Sequence, residues 1–151
     1  MNRLTIITAV LMMSVIAGCN SDVVTTERLR TIEYKCVYVA PIQSEDPYIG
    51  KVISDVMEKE FVRRNIAICG PENATVIITG CTFMTVRAAA NASELSSNRS
   101  AAANQAIDSI SAKVKDRQGN LLATASYNNK DQYTVSKLAA EFGAALARKI
   151  K

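Results

Sequence analysis

The sequence predicts an α+β fold: a two-layer sandwich with a mixed, mostly antiparallel sheet and two helices packed on one face, in the order β-α-β-β-β-β-α. Three observations lead there. Residues 46–64 and 134–150 carry apolar side chains at three- and four-residue spacing, the signature of helices with one buried face. Residues 31–42, 74–86, 106–115 and 121–127 are β-branched or alternate apolar with polar, as half-buried strands do. The turn sequence Asp116-Arg117-Gln118-Gly119-Asn120 joins the last two strands into a hairpin.

Taken in order, TIEYKCVYVAPI at 31–42 is the first strand and ends at Pro41. Asp46-Pro47 then offers an N-cap followed by proline at the first helical position. The helix is expected to reach about Arg64, with Ile49, Val52, Ile53, Val56, Met57 and Phe61 inward and Lys51, Asp55, Glu58, Lys59, Arg63 and Arg64 mostly outward. Residues 66–69 read as a short strand closed by the turn residues 70–73. ATVIITGCTFMTV at 74–86 is a longer strand with Gly80 as a candidate bulge. Residues 87–105, biased toward Ala, Ser and Asn, are expected to form a mobile loop or a weak helix. In 106–115, Ile110, Ala112 and Val114 alternate with Ser109, Ser111, Lys113 and Lys115, so one face should be buried and one solvated. Thr134 can cap the final helix, where Leu138, Phe142, Leu146 and Ile150 face inward and Gly143, Ala144 and Ala147 keep it thin.

The amino-terminal segment has a separate logic. Arg3 precedes an uncharged apolar run at 4–17, too short to span a bilayer and suited to the h-region of a signal peptide. Ile16-Ala17-Gly18-Cys19 follows, and it resembles the lipobox of bacterial lipoproteins. The resemblance implies cleavage between Gly18 and Cys19, and a diacylglyceryl thioether and further acylation, such as palmitate, on Cys19. Several acyl chains give stable anchoring where one alone is marginal. The expected organisation is a signal peptide at 1–18, a lipidated flexible tether at 19–30 and a single domain at 31–151. Asn20, where inner-membrane retention in enteric-type lipoproteins uses Asp, favours the outer membrane, with the domain facing the periplasm.

Removing residues 1–18 lowers Lys+Arg from 18 to 17 against 14 acids, a charge of +3 that gives no reason to expect nucleic acid. The chain has no His, which excludes Ser-His-Asp and Cys-His catalysis and argues against a zinc site. Glu58 and Glu60, two apart on a helix, do not form a carboxylate pair and read as solvated; Asp116 reads as a turn residue. Neither a cofactor nor a metal is expected, and the domain reads as a non-enzyme. Besides Cys19 there are Cys36, Cys69 and Cys81, enough for one bridge. With the Cys36 and Cys81 strands antiparallel and Ile42 opposite Thr75, Cys36 would face Cys81 as a disulfide. The other reading is three small buried thiols.

The segments VYVAPIQSEDPYIGKVISDVMEKEFVRRN, ATVIITGCTF and ISAKVKDRQGNLLATASY, with the closing helix, together resemble envelope α/β domains of the TolB amino-terminal, CsgG, LpoB and LptE type. Residues 74–80 and 116–121 carry the shared strand and hairpin features. The resemblance implies an accessory or assembly role in the cell envelope with a protein partner. An LptE-like lipopolysaccharide-transport component, compatible with the Lys113, Lys115 and Arg117 cluster, is one alternative. A small-ligand or redox module using a periplasmic thiol is the other.

Overall fold

The computed structural model describes residues 21–33, 36–87 and 104–150. The expected signal peptide, Gly18, Cys19 and most of the expected 87–105 loop lie outside the described residues. The α+β prediction holds. The elements are β1 (Ser21–Thr25), α1 (Glu27–Thr31), β2 (Val37–Val39), α2 (Pro47–Arg63), β3 (Val76–Arg87), β4 (Asn104–Asp116), β5 (Leu121–Asn128) and α3 (Val135–Ile150). They build one five-stranded sheet in the order β1-β5-β4-β3-β2. All pairings are antiparallel except β2 with β3, which are parallel because α2 crosses over between them.

One sheet face is buried by the long helices. Val76, Ile78, Ile110, Ala112, Val114, Ala123 and Ala125 point inward and meet Ile53, Met57 and Phe61 of α2 and Leu138, Phe142 and Leu146 of α3 in one core. The caps read from the sequence are formed: the Asp46 carboxylate accepts from the Tyr48 backbone N–H at 2.9 Å, and the Lys137 N–H reaches Thr134 Oγ1 at 3.4 Å. Two small residues allow the close approaches. A Cβ at Gly50 would run into the Ile42 carbonyl, where α2 rests on the segment leading into it, and one at Gly143 would lie 3.1 Å from Met57 Cα. Ser54 secures the first approach by accepting from the Ile42 N–H at 2.9 Å and sharing its one hydroxyl proton between the Ala40 and Gly50 carbonyls.

Several expectations need correction. Residues 21–30 do not form a free tether: Ser21–Thr25 pairs in register with β5, Val23 packs against the core, and α1 follows with Leu29 buried. A five-residue strand with one inward valine has too little local pattern to be legible; its stability comes from the β5 backbone. The strand expected at 31–42 shrinks to Val37–Val39, and that at 66–69 to a single parallel bridge between Ile68 and Val37. The order is thus β-α-β-α-β-β-β-α, a two-layer α+β sandwich as expected but with a strand and a short helix added in front. Strand structure extends into the expected loop, to Arg87 on one side and from Asn104 on the other.

Gly80 is not a bulge; it pairs regularly with Ala112, and the register shifts at Phe83/Met84. Glycine is required there because a Cβ would strike the Ser111 carbonyl and crowd Ile42.

The disulfide is also different. Cys36 bonds to Cys69, with the Cα atoms 5.9 Å apart, and Cys81 is free. Parallel pairing explains it: Val37 aligns with Val76, so Cys36 sits at the start of β3 while Cys81 lies beside Gln43. The chain returning from α2 brings Cys69 back to β2, where its N–H donates to the Val37 carbonyl at 3.1 Å.

Two measurements check this packing. Phe142→Ala, which empties a fully buried site, is expected to lower unfolding free energy by about 3–5 kcal/mol in chemical denaturation. Replacing Cys36 and Cys69 by serine, which opens a loop of sequence separation 33, should cost about 3–4 kcal/mol by the chain-entropy relation.

Candidate functional site

The sheet has a second face, turned away from the long helices. Alternation along the strands decides what lies on it. Thr79 and Cys81 of β3, Ser111 and Lys113 of β4, Thr124 and Ser126 of β5, and Asp22 and Val24 of β1 fall into two cross-strand rows. One row runs Thr79, Lys113, Thr124, Val24; the other runs Cys81, Ser111, Ser126, Asp22. With Ala40, Pro41 and Gln43 as a rim, they line a trough of about 570 Å³. Its lining is more apolar than polar, with hydroxyls from Thr79, Ser111, Thr124 and Ser126, a carboxylate from β1 and an ammonium from β4 set into it.

Such a surface can bury apolar groups and form hydrogen bonds to polar ones beside them. Cys81 is half-buried within it, its sulfur 3.3 Å from Ser111 Oγ. Of the basic cluster, Lys113 is in the trough, Lys115 lies one row further in the Ile77 row, and Arg117 donates to the Glu72 backbone carbonyl at 2.5 Å. The three do not converge on one point. Asp22 and Val24 were missed as lining residues because β1 itself was missed. The one signal they carry is the β-branched run Val23-Val24-Thr25.

Among the described residues two carboxylates are buried, and both are occupied by structural partners. Asp116 is 2% exposed; Asn120 donates to it through backbone N–H and side-chain Nδ2, each at 2.8 Å, and Arg28 lies 3.0 Å away. Burial works against ionisation, but the Asn120 hydrogen bonds and the Arg28 charge outweigh it and hold the carboxyl below its ordinary range. Gly119, at φ +87°, completes this turn, so Asp116 is the turn residue expected.

Glu60 is not on a solvated face, as its helix position suggested. It is 7% exposed, held by Arg63 and, at 2.6 Å, by Arg64. The physical reason is α3: Gly143 lets that helix come down over Met57 and Glu60. Burial again opposes the charge, and hydrogen bonds from Arg64 and Arg63 prevail, lowering its pKa. Glu58 remains apart, its pKa raised by burial and by Asp55.

No family model matches the chain, and no curated protein does. Solved structures do share the fold. PelC from Paraburkholderia phytofirmans, described as a dodecamer, aligns at TM-score 0.50 and 14% identity over 86% of this chain and 96% of that one. A DUF4136 family protein from Bacteroides thetaiotaomicron aligns at TM-score 0.52 and 8% identity over 87% and 96%. A PDZ domain protein from Parabacteroides distasonis aligns at TM-score 0.55 and 13% identity over 84% of this chain, which spans only 34% of that longer one. All three are bacterial proteins, and at these identities the likeness is one of fold.

Two predictions follow from the side chains. Glu60 and Asp116 have depressed folded-state pKa values, so the stability each contributes is fully present above its unfolded pKa and fades as pH falls through the folded one. Denaturation midpoints should therefore fall with acidification below the ordinary carboxylate range, and less steeply in Asp116→Asn. For the thiols, an unreduced mature domain carrying Cys19→Ser should titrate a single group, lost in Cys81→Ser. Three reactive groups before reduction would contradict the Cys36–Cys69 pairing.

Proposed function

We propose that this chain is a bacterial lipoprotein anchored through Cys19 to the outer membrane, with a non-catalytic domain facing the periplasm as an accessory or assembly factor for a protein partner. The observation that carries the reading is the sequence Ile16-Ala17-Gly18-Cys19 standing two residues before an edge strand. A domain whose first strand begins at Ser21 is one meant to be held against its anchor, since two residues span at most roughly 7 Å.

The non-catalytic part of the reading draws on the partners of the buried charges. Glu60 is neutralised by two arginines, and Asp116 is neutralised by Arg28 and hydrogen-bonded by Asn120, which suits a rigid frame and leaves neither carboxylate poised for proton transfer. The trough, apolar with interspersed hydroxyls, and the β1 edge supply surface for a partner. The resemblance to TolB, CsgG, LpoB and LptE domains points the same way, and the lipopolysaccharide-transport reading is its narrowest form. The redox reading has less behind it, because Cys36 and Cys69 are bonded to each other and the Cys81 sulfur has a serine hydroxyl as its hydrogen-bond partner.

The test is metabolic labelling with palmitate followed by density fractionation of membranes. The full chain should incorporate label and band with outer membrane, whereas Cys19→Ser should be unlabelled and remain at precursor size. Label that survives Cys19→Ser would refute the anchor; cross-linking in the same cells would recover the partner.

A further inference from the structure

Strand register fixes which end of the sheet faces the lipid, given the anchoring proposed above. Ser21 pairs with Tyr127, Tyr127 with Ile110, and Ile110 with Thr82, so these residues mark one level across four strands. β1 and β4 both run antiparallel to β5 and so run in the same direction as each other. The segment of β4 before Ile110 therefore projects on the side from which the chain enters β1. β4 starts six residues before that level, at Asn104, and β3 continues five residues past it, to Arg87. At roughly 3.3 Å per residue this two-stranded ribbon extends about 17–20 Å beyond the start of β1. The two residues from Cys19 to Ser21 reach at most roughly 7 Å. The ribbon is longer than the leash.

The exposed aromatic side chains cluster at the same end. Among the described residues these are Phe83, 61% exposed, and Tyr48, 74% exposed. Phe83 is the first ribbon residue past the Thr82 level. Tyr48 sits in the first turn of α2, and the segment before it lies beside the ribbon: Gln43 bridges to Cys81, and Ser44 Oγ is 3.4 Å from Met84 Sδ. Aromatic side chains with such exposure are favoured where water meets lipid.

We propose that the ribbon end of the domain, with Phe83 and Tyr48, rests in the headgroup layer of the bilayer that holds Cys19. The sheet is then inclined, so that the ribbon, longer than the leash, lies along the headgroup layer while the 116–120 hairpin points away from the membrane. Depth is limited by the backbone. Past the last pairings with β2 and β5 the ribbon has no strand on either flank among the described residues, so its outward N–H and C=O groups need water or headgroups and cannot enter hydrocarbon. Asn129 stiffens the base of the ribbon by donating to the Ile107 carbonyl at 2.8 Å, which holds the projecting strands to the body.

The chain has no tryptophan, so a single introduced indole reports alone. Lipidated protein carrying Phe83→Trp, Tyr48→Trp or Val62→Trp would be reconstituted into vesicles whose phospholipids are brominated near the glycerol or near the acyl terminus. Intact mass of each sample establishes the adduct on Cys19. Val62, 60% exposed near the end of α2, is the control at the opposite pole. Phe83→Trp and Tyr48→Trp should shift to shorter wavelength and lose most of their emission to the shallow bromines only, with Val62→Trp unaffected. With the adduct present, unquenched emission from both ribbon-end variants, or stronger quenching of Val62→Trp, overturns the orientation and leaves the anchor standing. Absence of the adduct overturns both.

Discussion

The antiparallel pairing of β3 with β4 is the constraint on which the rest of the molecule depends. It is the longest ladder in the sheet, and both strands are central, with β2 added to one side and β5 then β1 to the other. Its inward residues, Val76, Ile78, Ile110 and Val114, are fully buried and form the floor on which both long helices pack. A slip of one residue would exchange that floor with the outward row of Thr79, Cys81, Ser111 and Lys113 and would place an ammonium in the core. Core, trough and projecting ribbon are thus set by a single register.

The same register gives the molecule two unlike poles. The helices α2 and α3 both start at the ribbon end and run toward the hairpin end, so their basic last turns arrive together, with Arg63 on one and Arg148 and Lys149 on the other. Arg30 of α1 and Arg117 of the hairpin add to them. Cations near helix C-termini are favoured by the helix dipole, and here that preference also gathers charge at the pole opposite the exposed aromatics. A partner meeting the distal pole would meet guanidinium groups; one meeting the trough would meet apolar surface with scattered hydroxyls.

What the sequence made legible were features whose cause is local. Asp46-Pro47 and Thr134 announce helix starts, the alternation around Ile110 to Val114 announces a strand, and Gly119 in its turn announces the hairpin. What was hidden depends on residues far away in the chain. β1 exists because β5 offers it hydrogen bonds, Glu60 is buried because Gly143 lets α3 descend on it, and Cys36 meets Cys69 because α2 forces β2 and β3 to run parallel. Of the trough, the positions on β3, β4 and β5 follow from alternation, while Asp22 and Val24 could not be placed without β1. Position along a helix or strand tells which side a residue takes, and only the global topology tells what covers that side.

The Cys36–Cys69 bond has a consequence for what the sheet can become. An open sheet with two bare borders can grow at both, each added copy offering a new border for the next, and the result is a fibre. Here the border at β2 is closed where Val37 exchanges hydrogen bonds with Ala67 and Cys69, and the disulfide clamps that closure covalently. The β1 border is left open. Two copies meeting at β1 would use up that border in a pair, and growth from the β2 side would begin only once reduction of one sulfur–sulfur bond had freed it.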